Sequence, residues 1–440
     1  MDVMIPRYIK EYENKFAFPD RPLVSSALGG IEQVVVIPAL AEKSSLPATL
    51  ASLARNSDRE LARSLILCVI NNRGLNVASP GEIKDNQETI HYLQTLIKGL
   101  PGDLPPQLRL AYIDASSPGR EMPDKCGGVG LARKIGLDAA LKLFDYPRPG
   151  EKLLISLDAD TLVEPNYLEA IRSYFRPDKA AAVVNYAHQV PVAARERLAI
   201  GNYEIFLRYY VLGLRYAGSP YGFPSIGSTM VCTAEAYVAV GGMNRRDAAE
   251  DFYFLNKLAK FKAVGCIGTT TVHPAARPSR RVPFGTGRRI IRFLEDGQEE
   301  WLLYDPRIFV ILKRWLQLLE EAPDRETAEI MIRAGEIDDR LLSFLELHQF
   351  TSVWSKIRKN VRRREGLRRH FRCWFDGFKT LQLVHFLTDR GLPQINMFSA
   401  LEELLRLMSN RCSNRPDSNG NMDGCSGLTG FFLPGRLIAE

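Results

Sequence analysis

Between Gln33 and Ile267 the chain carries seven short apolar runs separated by helical patterns, and this alternation leaves few folds open. The runs are Gln33–Pro38, Leu65–Ile70, Leu108–Ile113, Leu153–Leu157, Ala181–Tyr186, Thr229–Thr233 and Ala263–Ile267. Runs of this length closed by polar or turn residues read as buried strands, and Leu46–Arg55, Gln87–Lys98 and Gly130–Leu143 have helical spacing. The alternation predicts an α/β fold, a mainly parallel sheet with helices on both faces. After about Gly287 the strand signals stop. Ile290–Glu299, Ile308–Glu321, Glu326–Ala334, Asp338–His348, Ser352–Leu387 and Phe398–Asn410 carry helical periodicity. The expected organisation is an N-terminal extension over 1–30, an α/β domain over 31–286, a helical region over 287–410 and a mobile tail over 411–440, rich in Ser, Asn and Gly.

No apolar run approaches the roughly 20 residues of a membrane span. The N-terminus lacks a basic stretch followed by an apolar core, so no secretory signal is expected. Seven cysteines, odd in number and without C-x-x-C spacing, point to reduced thiols in a cytoplasmic protein rather than disulfides or a zinc site. The net charge of +7 is concentrated: Ser355–Arg372 holds nine cations and one anion, a balance of +8, leaving −1 for the rest. Apolar residues at Ile357, Val361, Leu367, Phe371, Trp374, Phe375, Phe378, Leu381 and Val384 recur mostly every three or four positions with the cations largely between them, which predicts one long amphipathic helix. Two readings stand: a helix packed on the protein with a solvated charged face, or peripheral attachment of 355–384 to an anionic membrane surface, each nearby cation contributing about 1 kcal/mol. No nucleic-acid reading module accompanies the charge, so no nucleic-acid partner is expected.

The chemistry concentrates at strand ends, where open α/β sheets bind ligands. The Leu153–Leu157 run ends in Asp158-Ala159-Asp160, two carboxylates that repel one another unless a cation neutralises them. Mg²⁺ or Mn²⁺, held together with substrate phosphates, is the natural occupant. Pro38 and Glu42 end the first strand and Asn71-Asn72 the second, forming a cleft suited to a nucleotide in which Glu42 and Asn72 meet base edges and ribose hydroxyls; loop and cap roles are the plain alternative. The turn Asp124–Lys134, with Gly127, Gly128 and Gly130, enters a helix flanked by Lys125 and Arg133, an arrangement that attracts phosphate. Further on, Gly241-Gly242 precede Glu250-Asp251 at a helix start, where acids either cap the helix or supply a base.

In this order, P-x-x-x-E, the Gly–Ala–Arg helix, D-x-D and G-G-x-(…)-E-D over about Glu32 to Val272 resemble the family 2 glycosyltransferases with the GT-A fold. The resemblance implies a nucleotide-diphospho-sugar donor, a hydroxyl acceptor, Asp158 beside the nucleotide and Asp160 on a divalent cation bridging the diphosphate. It also implies Asp251 as acceptor base with Glu250 supporting it, and inversion at the anomeric carbon. His273 lies where some GT-A enzymes place a further metal ligand. The basic segment Arg277–Arg289, which includes Arg280, resembles loops that close over the diphosphate; a solvated linker is its alternative. His188 and Tyr221 are acceptor-side candidates. Two positions depart from the family pattern: Asn71-Asn72 where an acid is common, and Lys134 where Asn is usual, which brings an added cation to the phosphates. A retaining enzyme, a nucleotidyltransferase of related fold and an inactive scaffold are the competing readings.

Overall fold

The computed structural model describes residues 5–74, 76–99, 105, 107–278, 285–295 and 301–413. Its contacts divide the chain into two compact units. One holds the residues up to Glu196 together with Ser225–Ile291, and the other holds Arg197–Pro224 and the described residues from Arg292 onward.

The first unit is built on nine strands: β1 (Leu23–Ser25), β2 (Gln33–Ala39), β3 (Ser64–Asn71), β4 (Leu110–Ala115), β5 (Leu153–Ser156), β6 (Leu162–Val163), β7 (Ala181–Tyr186), β8 (Met230–Thr233) and β9 (Val264–His273). They form one mixed sheet in the order β1-β4-β3-β2-β5-β8-β7-β9-β6. β2 pairs in parallel with β3 on one side and β5 on the other, and β7 with β9. β1, β8 and β6 run the opposite way. Every residue of β2, β3, β4 and β5 is buried, which is why their sequences are continuous apolar runs rather than alternating ones. The chain reverses strand order around β2, and the crevice beyond the carboxyl ends of β2 and β5 is therefore where a ligand is expected. The three opposing strands are the departure from a parallel sheet, and two of them, β1 and β6, are too short to show periodicity.

Helices α1 (Arg7–Phe16), α2 (Leu46–Ala54), α3 (Asp58–Leu61), α4 (Pro80–Ile97), α5 (Val129–Ala140), α6 (Tyr167–Tyr174), α7 (Ala194–Tyr216), α8 (Ala234–Ala239), α9 (Glu250–Phe261) and α10 (Thr286–Glu295) follow in chain order. α4 begins on a capping box, Ser79 with Glu82, which satisfies two orphan helix donors reciprocally. α1 is held by one buried acid: Asp138 of α5 accepts from Tyr12 Oη and Tyr237 Oη, both at 2.7 Å, and from the Phe18 amide at 2.7 Å.

The second unit contains most of α7 and helices α11 (Pro306–Glu321), α12 (Thr327–Ile337), α13 (Asp339–Leu347), α14 (Phe350–Asn360), α15 (Arg364–Trp374), α16 (Gly377–Asp389) and α17 (Met397–Ser413). Residues 197–224, which the alternation assigns to the α/β region, pack instead with these helices: Tyr209 Oη donates to Tyr304 O at 2.5 Å and its ring meets Phe309. A two-residue ladder of β10 (Leu302–Leu303) and β11 (Ile395–Asn396) corrects the expectation of helices alone. Trp315 sits at the centre, edge-on to Phe350, Phe371 and Phe375.

The long basic helix is also corrected. Ser352–Leu387 is three helices, broken at Val361–Arg363 and Phe375–Asp376. A continuous helix would stack Arg358, Lys359, Arg362 and Arg363 within a turn of one another, where like charges repel. The break lets Arg358 reach Glu326 and Arg364 reach Asp324, both at 2.9 Å, and Arg372 reach Glu320 at 2.6 Å. Leu367, Phe371, Phe375, Leu383 and Val384 are buried in the unit's own core, as the packed-helix reading expects, while Phe378 is 40% exposed. Among the described residues no helix is long and apolar enough to cross a membrane. Within the expected tail, α17 runs on to Ser413 and residues 414–440 lie outside the described residues.

Candidate active site

The D-x-D and E-D motifs meet at Arg133. This side chain, 3% exposed, donates from Nη2 to Asp158 Oδ1 at 2.6 Å, from Nε to Glu250 Oε1 at 3.1 Å and from Nη1 to Ser156 Oγ at 2.6 Å. Burial opposes its charge, but Asp158 and Glu250 outweigh that and hold the guanidinium above its ordinary value. Asp158 Oδ2 in turn accepts from Ser228 Oγ at 2.5 Å, and Ser228 touches Thr161 Oγ1 at 3.0 Å. Gly227 is required by this contact, since a Cβ there would lie 2.1 Å from Arg133 Nη2.

Of the residues expected at a phosphate cradle over Asp124–Lys134, the Arg133 and Lys134 side chains are engaged within the protein. Arg133 is consumed by carboxylates. Lys134 is buried, ion-paired with Asp138 at 2.9 Å and bonded to Tyr12 Oη, and burial pulls its ammonium below the ordinary value against the pull of Asp138. The glycines admit protein, because a Cβ on Gly128 would meet Asp247 at 2.6 Å and one on Gly130 would meet Arg246 O at 2.4 Å. Lys125 remains exposed at the surface of the turn. Gly128 and Gly130 thus allow close packing against the Asn244–Asp247 segment, a role that local sequence does not reveal.

Glu250 and Asp251 open α9 with different surroundings. Glu250 is buried and ion-paired to Arg133; Asp251, half-buried, accepts only from the Phe252 amide at 2.7 Å among the bonds described for it. Burial, then the neighbouring Glu250 carboxylate, pushes Asp251 up to about 7. Ala249, just before the pair, holds a left-handed backbone at φ 57. Ala41, beside Glu42, and Cys126, in the glycine-rich turn, do the same at φ 50 and φ 59. Such non-glycine positions cost about 1–3 kcal/mol each and concentrate at functional sites.

Asp160 has a different set of partners. Its Oδ2 accepts from Arg277 Nη2 at 2.9 Å and Nε at 3.2 Å, and the same Nη2 also bonds Glu42 Oε1. Burial, then Asp158 and Glu42, raises the Asp160 carboxyl to about 6, with Arg277 pulling the other way. Gln189 Nε2 donates to the carbonyls of both Asp160 and His273, at 2.9 and 2.8 Å. The β6–β9 register sets His273 opposite Leu162, two residues on from Asp160. His273 Nδ1 lies 2.9 Å from Ala187 O. A carbonyl only accepts, so Nδ1 carries a proton, and Nε2 is the ring nitrogen left to face a metal ion. Nε2 lies 3.8 Å from Glu164 Oε1. Among the described residues no three His, Cys, Asp or Glu side chains converge as a cage. The donors present fit a cation held mostly by substrate phosphates, as Mg²⁺ commonly is, rather than one held by protein alone.

The remaining expected residues are placed as follows. Pro38 is buried within β2 opposite Val69. Asn72 is buried, donating to Arg73 O at 2.7 Å and accepting from Asn86 Nδ2 at 2.9 Å. Asn86 of α4 also donates to Asn71 O and accepts from the Ala41 amide, tying the ends of β2 and β3 together. These bonds make Asn72 a strap rather than a free base-reading group. His188 is buried against Tyr186, with Nε2 3.2 Å from Thr286 Oγ1. Tyr221 is buried in the helical unit, its hydroxyl on Arg372 O at 2.8 Å, so it is committed to packing rather than to an acceptor. Arg280 lies outside the described residues. Sequence reading passed over Asn86, Glu164, Gln189, Ser228 and the particular role of Arg277, because single polar residues without a motif carry no local signal.

No protein-family model matches the chain, and no curated protein does. Among solved structures, S. aureus TarS 1-349 in complex with UDP-GlcNAc aligns at 11% identity and TM-score 0.36, covering 71% of this chain and 78% of that one. The mannosyltransferase PcManGT from Pyrobaculum calidifontis, in complex with GDP-Man and Mn²⁺, aligns at 13% and TM-score 0.35, covering 93% of each. Glucosyl-3-phosphoglycerate synthase from Mycobacterium tuberculosis, in complex with UDP, aligns at 12% and TM-score 0.30, covering 66% and 82%. These superpositions are loose, so a functional reading has to rest on the residues of this chain.

Proposed function

We propose that the chain is a glycosyltransferase that moves a sugar from a nucleotide-diphospho-sugar to a hydroxyl acceptor with inversion. The observation that supports it most is the Arg133 bridge, which joins Asp158 of D-x-D to Glu250 of E-D and makes one site of motifs distant in sequence. Arg133 shares its one positive charge between those two carboxylates. Asp251 stays beside them with its carboxyl raised to about 7, matched to taking a proton near neutral pH. Asp251 removes the acceptor hydroxyl proton as the acceptor oxygen bonds to the anomeric carbon and the bond to the diphosphate breaks. Asp160 and His273 Nε2 would hold a divalent cation, Mn²⁺ or Mg²⁺, which when bound acts as a Lewis acid on the departing diphosphate. Asp158, fixed by Arg133 and Ser228, is oriented for the nucleotide.

Incubation of the full chain with UDP- and GDP-sugars and Mn²⁺ is expected to release nucleoside diphosphate. Asp251→Asn should lower turnover by at least about 100-fold while keeping the rise in melting temperature that nucleoside diphosphates produce. Release of pyrophosphate would support the nucleotidyltransferase instead, and full activity of the variant would remove Asp251 from the chemistry.

A further inference from the structure

Arg277 stands where two adjacent strands deliver carboxylates to the crevice. Glu42 follows β2 and Asp160 follows β5, and β2 and β5 are parallel neighbours. The guanidinium spans both acids and is itself only partly exposed. One oxygen, Asp160 Oδ2, accepts two N–H bonds from it. A planar guanidinium suits a carboxylate and a diphosphate equally well, since both offer paired oxygens to its fork. A divalent cation seeking Asp160 therefore meets a carboxylate already engaged by a guanidinium.

We propose that Arg277 is the resident counter-cation of the donor site. In the free protein it holds Asp160 and Glu42; when donor binds, Asp160 passes to the divalent cation and Arg277 passes to the diphosphate. The proposal rests on the glycosyltransferase reading for the identity of the anion only. Its consequence is thermodynamic coupling. Either ligand alone breaks the Arg277–Asp160 contact and re-partners only one of the two groups, whereas both together supply a partner to Asp160 and to Arg277. Mn²⁺ and nucleoside diphosphate should therefore strengthen each other's binding by a factor within about 5–150, and reciprocally.

The test is calorimetric titration of Mn²⁺ into the full chain, alone and with saturating UDP or GDP, for wild type, Arg277→Met and Arg277→Lys. In Arg277→Met, Mn²⁺ alone should bind at least about fivefold more tightly than in wild type, and the nucleoside diphosphate should bind about tenfold more weakly in the presence of Mn²⁺, so the coupling shrinks. Arg277→Lys keeps one charge without the fork and should fall between, which also guards against misfolding of the Met variant. Unchanged or weaker Mn²⁺ binding in Arg277→Met overturns the proposal. The Mn²⁺-only comparison needs no nucleotide. If neither UDP nor GDP binds any of the three proteins but the Mn²⁺ gain persists, the glycosyltransferase reading fails while the competition at Asp160 stands.

Discussion

Adjacent acids at the start of α9 acquire different chemistry from what surrounds them. Glu250 has a buried cation within hydrogen-bond reach and is a structural anion. Asp251 is desolvated beside another carboxylate, and its protonated form is favoured up to about pH 7. In the proposed role of base it must be ionised, so turnover should rise as pH climbs through about 7, and rate profiles should show that limb. The linkage to stability has the opposite slope. With the folded carboxyl raised above its ordinary value of 3.8, the folded state binds the extra proton between about pH 4 and pH 7. The stability this provides is complete below that window and is lost as pH rises through it. Asp251→Asn, which stays neutral, should therefore melt higher than wild type at pH 8, with a smaller difference at pH 5. Equal differences at the two pH values would show that Asp251 is not perturbed.

At the scale of elements, α5 is the part on which the site depends. One face carries Arg133 into the crevice, while Asp138, five residues on, receives Tyr12 from α1, Tyr237 from α8 and Lys134 from its own helix. The N-terminal extension is thus a clamp on the helix that orients Asp158 and Glu250. Asp138→Ala leaves Lys134 buried without its anion and should destabilise the protein by about 3–5 kcal/mol in urea titration. Tyr12→Phe removes one hydrogen bond and should destabilise it by about 0.5–1.5 kcal/mol. A smaller effect for Asp138→Ala than for Tyr12→Phe would contradict this account.

At the scale of the whole molecule, the chain leaves the first unit and returns to it. Residues 197–224 belong to the core of the second unit, where Tyr209 and Leu212 are buried with Phe309 and Trp315. A fragment beginning at residue 292 keeps the later helices but loses that packing. It is expected to show helical far-ultraviolet dichroism with weak near-ultraviolet signal and dye binding, the marks of a loosely packed state. A cooperative thermal transition in the fragment alone would show that α7 is dispensable to the core.

The strands from β2 to β5 and the positions of D-x-D and E-D were legible in sequence because burial and turn chemistry are local properties. Ala181–Tyr186 matches β7 at both ends for the same reason. What the sequence by itself determined is therefore where the buried strands run and which acids close them. Tertiary structure decided which cation each acid meets. Arg133 went to Asp158 and Glu250 rather than to phosphate, Arg277 to Asp160 and Glu42, and the apolar stripe after Ser352 to its own core. The physical reason is that a charge's partner depends on distances across strands and loops far apart in the chain. Periodicity along one segment records its burial but not what it is buried against.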